Sequence, residues 1–451
     1  MHRSNIMRIL KKYFLLILVI CSADNILVAQ DSLSLSDAIQ IGLKQNFDIQ
    51  ISAKNVEINK LQNTWGQAGR YPTIDINFQQ GNSISDQSNN PLSIVQELIF
   101  QNSIQGAANL NWVLFNGFRI KANKAKLNNL EVQSQGNATL VVENTIQGII
   151  LAYYSANLQK EKMDLLKNVL KLSRDKYLHE KEKGELGFAT SVDQLQFESA
   201  YLADSSAVIM QELAYKNSIK NLNLFLGTDI NLVWSLTDKL MPENIIYNYA
   251  DLETKMLSNN TNIKNQVVNM EIVKQDITLA KSSIYPVVSF NSGASYNTSR
   301  LQINDFPMPG ANVSNSANIN YFANFTVGFK IFDGGKVKRA IQAVQIQDDI
   351  ASLNMAKLKH QLTQELANNY EIYTTRIAIF EINLKSFAAA KRNFEIARLR
   401  KNAGIINSFD LRNIEMVYLQ TGTALFEAIY NIEESKTNLT RLTGGIIENK
   451  E

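Results

Sequence analysis

Hydrophobic and polar positions change period at a few sharp points along the 451-residue chain. In residues 72–80, Ile74, Ile76 and Phe78 alternate with Asp75, Asn77 and Gln79, the pattern of a strand with one apolar face. Residues 104–115 alternate again, with Ile104, Ala108, Leu110, Trp112 and Leu114 against Gln105, Asn109 and Asn111. At Asn116-Gly117 the alternation stops, and there is no further proline until Pro242. Residues 118–183 therefore read as one helix, about 100 Å long at ~1.5 Å per residue. Within it Ile149, Ala156, Met163, Leu170 and Tyr177 fall seven apart, and Leu151, Leu158, Leu165 and Leu172 form a second line. Two stripes predict helices on two sides; an ordinary two-stranded coil needs only one.

The whole order then repeats. LNWVLFNGFR at 110–119 returns as VGFKIFDGGK at 327–336, with Phe115 to Phe332 and Gly117 to Gly334 both 217 residues apart. Asn46, Ile49, Glu57, Tyr71 and Pro72 match Asn260, Ile263, Glu271, Tyr285 and Pro286 at a spacing of 214, so the loop between the second pair of strands is three residues longer. In that second pair Val288, Phe290 and Tyr296 oppose Ser289, Asn291 and Asn297, and Tyr321, Phe325, Val327 and Phe329 oppose Asn320, Asn324, Thr326 and Lys330. A second rod covers 337–401, its line of Leu366, Tyr373, Phe380, Phe387 and Phe394 standing 217 residues from the first. Gly187 and Gly404 suit left-handed turns that end the rods. Ser191 with Gln194 reads as a capping box for the return helix. The return helices finish at Gly227 and Gly444. Ahead of the first strand, 33–71 reads as a helix capped by Ser36 and stopped by Tyr71-Pro72. Residues 81–103, polar and holding Pro91, read as a loop, and 228–249, with Trp234 and Pro242, as a small irregular belt.

Composition adds a cellular address. Residues 1–29 have a basic start (Arg8, Lys11, Lys12), an apolar middle at 13–20 and Leu27-Val28-Ala29 as a cleavage site, the layout of a signal peptide. The apolar run is shorter than the ~20 residues of a membrane anchor, which makes an anchor the lesser reading. The leader holds Arg3, Arg8, Lys11 and Lys12 against Asp24, so of 45 basic and 42 acidic residues 41 of each remain. A neutral mature chain gives no reason to expect nucleic acid. The single cysteine, Cys21, leaves with the leader; Ile20 before it is bulky for a lipidation site, and lipid attachment stays the minor alternative. His2, His179 and His360 are the only histidines, and no phosphate loop, zinc helix or nucleophile elbow is present, so no catalytic, cofactor or metal residues are assigned.

Four amphipathic strands cannot close a barrel, and open edges in lipid leave backbone groups unpaired. Several chains must share one wall, and three would supply twelve strands. Two edge strands of a soluble sandwich, or a structural coiled-coil envelope protein, are the rival readings.

LSLSDAIQIGLKQN at the start, Tyr-Pro before each first strand, WVLFNG and KIFDGG at the corners, the paired turns Gly187/Asp193 and Gly404/Asp410, and FLG and LTGG at the ends together resemble the TolC-like outer membrane efflux proteins. The resemblance spans about 33–445. It implies a mostly α protein with long antiparallel coiled coils, an α-barrel when trimeric, plus a shared 12-stranded transmembrane β-barrel. The implied division is signal peptide 1–29, first repeat 30–230, equatorial linker 231–250, second repeat 251–447 and tail 448–451. It further implies an outer membrane duct for small molecules or proteins. The partners would be a periplasmic adaptor, an inner-membrane RND, ABC or MFS pump, and outer membrane lipid. The adaptor-docking and gating turns carry over to Gly187, Thr190, Ser191, Asp193, Gly404, Asn407, Ser408 and Asp410. Two departures stand out. The family's usual Asn-Pro is Asn46-Phe47 and Asn260-Thr261 here. The approach to the second turn is basic rather than acidic: Lys391, Arg392, Arg398, Arg400 and Lys401, with only Glu395 opposing. This basic run is read either as a charge ring that makes the tip less cation-selective or as a solvated outer face.

Overall fold

The computed structural model describes residues 31–188, 190–242, 245–303 and 313–447. The expected leader with Cys21, the loop prolines Pro307 and Pro309, and the tail 448–451 lie outside the described residues. In chain order the described elements are β1 (Asp31–Leu33), α1 (Leu35–Gln45), α2 (Phe47–Gln62), β2 (Thr73–Asp86), β3 (Leu98–Asn116), α3 (Arg119–Glu185), α4 (Ser191–Leu226), β4 (Trp234–Leu236), α5 (Tyr249–Asn259), α6 (Thr261–Ser282), β5 (Val287–Ile303), β6 (Val313–Gly328), α7 (Lys336–Asn402) and α8 (Ser408–Leu442). The two rods, α3 and α7, are 67 residues each.

Several boundaries differ from the sequence reading, each for a local reason. The cap of α1 is Ser34, not Ser36: its hydroxyl accepts from the Asp37 amide at 3.1 Å, and the Asp37 carboxylate receives the Ser34 hydroxyl at 2.6 Å. The expected single first helix breaks at Asn46, whose backbone is extended (φ −60°, ψ 128°), and α2 ends at Gln62, well before Pro72. The strands also reach further into the polar segment than alternation of apolar residues shows, so the first loop shrinks to 87–97. Backbone pairing, not side-chain hydrophobicity, carries those outer turns of the hairpin.

The chain divides into two compact units. One holds the residues up to Asn46 together with Thr145–Ile245 and Ile372–Thr437. Its core gathers Leu33 and Ala38, Ile149, Ala152, Tyr153 and Ala156 of α3, Leu222 and Leu226 of α4, and Trp234 and Leu236 of β4. β1 and β4 pair in parallel, so the segment read as an irregular belt contributes a short strand. Tyr153 holds it in place, donating to the Leu33 carbonyl at 2.9 Å and accepting from the Asp238 amide at 3.3 Å. Further along, Phe387 stacks on Tyr418 and Phe394 stacks on the other side of the same ring, at 5.4 and 5.0 Å.

The other unit holds Phe47–Asn144, Ile246–Glu371 and Asn438–Glu451. It contains the antiparallel sheet β2-β3-β5-β6. Its helices are tied by polar contacts: Asn63 Nδ2 to Glu131 at 2.6 Å, Lys126 to Asp276 at 2.6 Å, and Thr261 Oγ1 donating to the buried Glu143 at 2.5 Å. Burial pushes the Glu143 carboxyl above the usual range, with the Thr261 bond, Arg441 and Lys264 pulling the other way.

Candidate functional site: the amphipathic sheet and the helical turns

The sheet obeys the repeat residue for residue. Hairpin β2–β3 pairs Thr73 with Asn111 through to Asp86 with Leu98. Shifting by 214 and 217 reproduces hairpin β5–β6, from Val287 with Gly328 to Arg300 with Asn315. β3 and β5 join the two hairpins. Rows across the sheet are therefore fixed, and one face reads Ile74-Leu110-Ser292-Ala323, then Ile76-Ala108-Ala294-Tyr321, then Phe78-Gly106-Tyr296-Ile319. The opposite face carries Asp75, Asn109, Asn77, Gln105, Asn297 and Asn320. On the apolar face Ile76, Phe78, Tyr321 and Phe325 stay 73–82% exposed. A soluble sheet buries such a face; this one leaves it open on a surface far larger than scattered apolar residues make.

The two edges are open as well. Every residue of β6 is exposed, and β2 is nearly so, whereas β3 and β5 are mostly half-buried. Below the sheet Gly117 turns β3 into α3 at φ 67°, where a Cβ would lie 2.3 Å from the Ser282 carbonyl. Phe118, the single non-glycine residue with positive φ among the described residues, sets its ring edge-on to Phe115 and Tyr285.

At the far end of the rods the predicted turn residues come together. Gly187 (φ 78°) and Gly404 (φ 73°) are both left-handed. The cap of α4 is Thr190, not the expected Ser191: Thr190 Oγ1 accepts from the Asp193 amide at 3.1 Å and donates to its carboxylate at 2.8 Å. Gln194 does not close a box; its amide fills the space above Gly184. Asn407 caps α8, accepting from the Asp410 amide at 2.8 Å. Ser408 joins the two turns: its hydroxyl donates to Asp193 at 3.1 Å and accepts from Lys401 Nζ at 2.8 Å. Ser191 and Asp410, in the first turns of α4 and α8, are exposed, as are Lys391, Arg392, Glu395, Arg398 and Arg400 around this end.

Sequence reading missed the strongest polar cluster. Arg412 of α8 grips Asp204 of α4 with both arms, at 2.7 and 2.9 Å, and touches Glu415 at 3.1 Å, while Lys176 of α3 reaches Glu415 at 3.4 Å. Asp204 and Glu415 are buried. Burial lowers the Arg412 pKa, but the bonds and charges of Asp204 and Glu415 outweigh it and hold the guanidinium firmly charged. A signal existed: Asp204 corresponds in the repeat to Thr421, and Arg412 to Leu195, so the halves differ in charge at the two positions that meet.

Asn46 and Asn260 also form a matched pair. Asn46 Nδ2 donates to the Phe225 carbonyl and Asn260 Nδ2 to the Leu442 carbonyl, both at 2.9 Å. Each asparagine stands between two helices with no proline after it.

The profile of the family "Outer membrane efflux protein" matches residues 252–445, the second copy of the repeat. This part of the chain is thus similar to the outer membrane efflux proteins. The solved structures similar to this chain include outer membrane channels. CmeC of Campylobacter jejuni aligns over 92% of this chain and 87% of its own, with 17% identity and a TM-score of 0.72. CusC aligns over 91% and 92%, with 13% identity and a TM-score of 0.71. The open state of MtrE from Neisseria gonorrhoeae aligns over 91% and 89%, with 15% identity and a TM-score of 0.69. At such identities the likeness shows the fold of coiled-coil hairpins and strands. A search of the curated proteins finds no match. No described helix is long and apolar enough to cross a membrane.

Proposed function

We propose that three copies of this chain form an efflux duct through the outer membrane, continued into the periplasm by the helical rods. The duct carries small molecules or proteins handed over by an inner-membrane pump through a periplasmic adaptor. The observation that carries the reading is the four-stranded sheet: apolar on one exposed face, polar on the other, and unpaired at both edges. In lipid each unpaired backbone group costs several kcal/mol, so the edges need partners. A second copy supplies them, and closure at about eight or more strands makes three copies the smallest number that leaves an aqueous lumen.

The repeat supplies the docking register. β3 meets β5 with Gly106 opposite Tyr296. The same shift places Ala323 of β6 opposite Asn82 of the next copy, and Leu353 beside Ile51, as Gly136 lies beside Asn265 within the chain. Leu353 and Ile51 are 70% and 58% exposed. The turns built on Gly187, Thr190, Asp193, Gly404, Asn407 and Ser408 form the gating and adaptor-docking end. The Arg412–Asp204–Glu415 cluster holds the two hairpins of one chain together there.

Conductance of the detergent-purified protein in planar lipid bilayers tests the reading. Stepwise ion-conducting insertion is expected. A water-soluble protein that never inserts would favour the structural coiled-coil alternative.

A further inference from the structure

Arg300 is the only basic residue in β2, β3, β5 and β6. Pairing with Asn102 on one side and Asn315 on the other puts it on the apolar face, in the row Asn82-Asn102-Arg300-Asn315. This row is wholly polar, on a face that is otherwise mostly apolar from Phe290 outward. No described carboxylate pairs with Arg300. The nearest strand carboxylate on this face, Asp86, lies two rows further out, opposite Leu98. A shallow hollow surrounds the guanidinium, lined chiefly by Asn82, Ile84, Phe100, Asn102, Arg300 and Gln302. Asn102 and Asn82 are hydrogen-bonded to each other across its floor.

Depth gives the cation a meaning. The ring row of Trp112, Phe290 and Phe325 marks the end of the face nearest the helices. Ten residues of β5 separate Phe290 from Arg300, about 34 Å at ~3.4 Å per residue. With the strands tilted ~40–45°, this is about 25 Å along the membrane normal, the height of the apolar band of a barrel wall. Arg300 then stands at the loop-side border of the hydrocarbon, at the level of lipid headgroups. Guanidinium is the side chain best matched to phosphate, and the amides of Asn82, Asn102 and Gln302 add neutral donors around it.

We infer that Arg300 is the centre of a binding site for a phosphorylated lipid headgroup on the outward face of the sheet. The inference rests on the proposed membrane location of the sheet. The occupant is a lipid and not a free anion, because Ile104 on the helix side of the polar row offers surface to acyl chains, and Ile84 and Phe100 on the loop side offer it to the headgroup's apolar edge.

Native mass spectrometry of the full-length detergent-purified assembly tests this, with bilayer conductance recorded for the same preparations. The probes are lipid A, a glycolipid carrying two phosphates, its dephosphorylated form, and inorganic phosphate. Wild type should retain lipid A about tenfold more than the dephosphorylated lipid, and Arg300→Gln should lose about that factor while still conducting. Arg300→Lys should fall between the two. Equal lipid A retention by wild type and Arg300→Gln would overturn the site. So would displacement of lipid A by millimolar inorganic phosphate, since the occupant would then be a free ion. Failure of wild type itself to conduct would instead remove the membrane reading on which the site depends.

Discussion

Two corners of the second unit do the same job in different surroundings. Gly117-Phe118 turns β3 into α3, and Gly334-Gly335, 217 residues later, turns β6 into α7; all four residues have positive φ, between 65° and 78°. The first corner is packed: a Cβ on Gly117 would meet the Ser282 carbonyl and the Tyr285 ring. The second is bare: a Cβ on Gly334 would meet nothing within 4 Å, and Ile331 and Phe332 beside it are 91% and 85% exposed. The corners differ in their neighbours. Residues of the second half cover the first corner, whereas the second is touched by its own helix, Arg339 donating to the Gly334 carbonyl at 2.9 Å.

Other junctions say the same. Thr261 is buried against Glu143, whereas its counterpart Phe47 is 68% exposed. Asp204 is gripped by Arg412, whereas Leu195, the counterpart of Arg412, is 65% exposed. At these two junctions the contact made inside the chain is polar, and the counterpart left open is apolar. On this account the junction between copies is the hydrophobic version of the junction within a copy.

The sharpest way to break the comparison is to fill both corners. Gly117→Ala combines a left-handed backbone with a clash against backbone and should cost more than about 4 kcal/mol, enough to abolish protease-resistant protein. Gly334→Ala in unassembled chain should cost only about 1–2 kcal/mol. Limited proteolysis of the two variants side by side checks this; equal loss would show that the corners are not different.

The ionic junction gives the next effect. Asp204→Ala leaves Arg412 with Glu415 as its remaining carboxylate and should destabilise by about 3 kcal/mol in urea unfolding, while Thr421→Ala at the repeat-related position should stay within ~1 kcal/mol. The same Asp204 change should loosen the tip and raise single-channel conductance.

Charge at the rod ends should have a smaller consequence. The second rod carries Lys391, Arg392, Arg398, Arg400 and Lys401 where the first has Arg174, Asp175, Lys181, Lys183 and Gly184. Arg398→Glu with Arg400→Glu should move the reversal potential in a salt gradient toward cation preference. An unmoved potential would assign these side chains to the outer face rather than to the conduit.

The smallest effect concerns Glu143. Its folded pKa is raised by burial, so the folded state binds more protons than the unfolded one between the ordinary carboxylate range and the raised value. Stability from this group is greatest at low pH and is lost as pH rises through that window. Glu143→Gln should therefore be slightly stabilised above pH 7 relative to wild type and gain nothing at pH 4, measured as melting temperature.

Much of this architecture was legible because the repeat supplied two independent readings of each element. Alternation over Ile74, Ile76 and Phe78 and again over Tyr321, Phe325 and Val327 gave the strands, and the heptad lines gave the rods. The features that stayed hidden depend on contacts distant in sequence. The break at Asn46 is made by a bond to Phe225, and without proline the local apolar pattern runs straight through it. Thr190 rather than Ser191 caps α4 because adjacent hydroxyl residues offer the same local chemistry, and only the turn geometry at Gly187 selects between them. The Arg412–Asp204 pair joins residues 208 apart in sequence and forms only where the two hairpins meet. It was marked in the sequence only as a point where the halves disagree.

The central claim is that β6 of one copy continues into β2 of the next, in the register that β3 and β5 show within the chain. Ala323→Cys combined with Asn82→Cys, in a chain whose single native cysteine, Cys21, is replaced by serine, puts one thiol on each free edge. Oxidative crosslinking in isolated membranes should yield a ladder on denaturing gels that ends at three copies. A ladder running past three copies, or no crosslinked species while Leu353→Cys with Ile51→Cys also stays uncrosslinked, would contradict it.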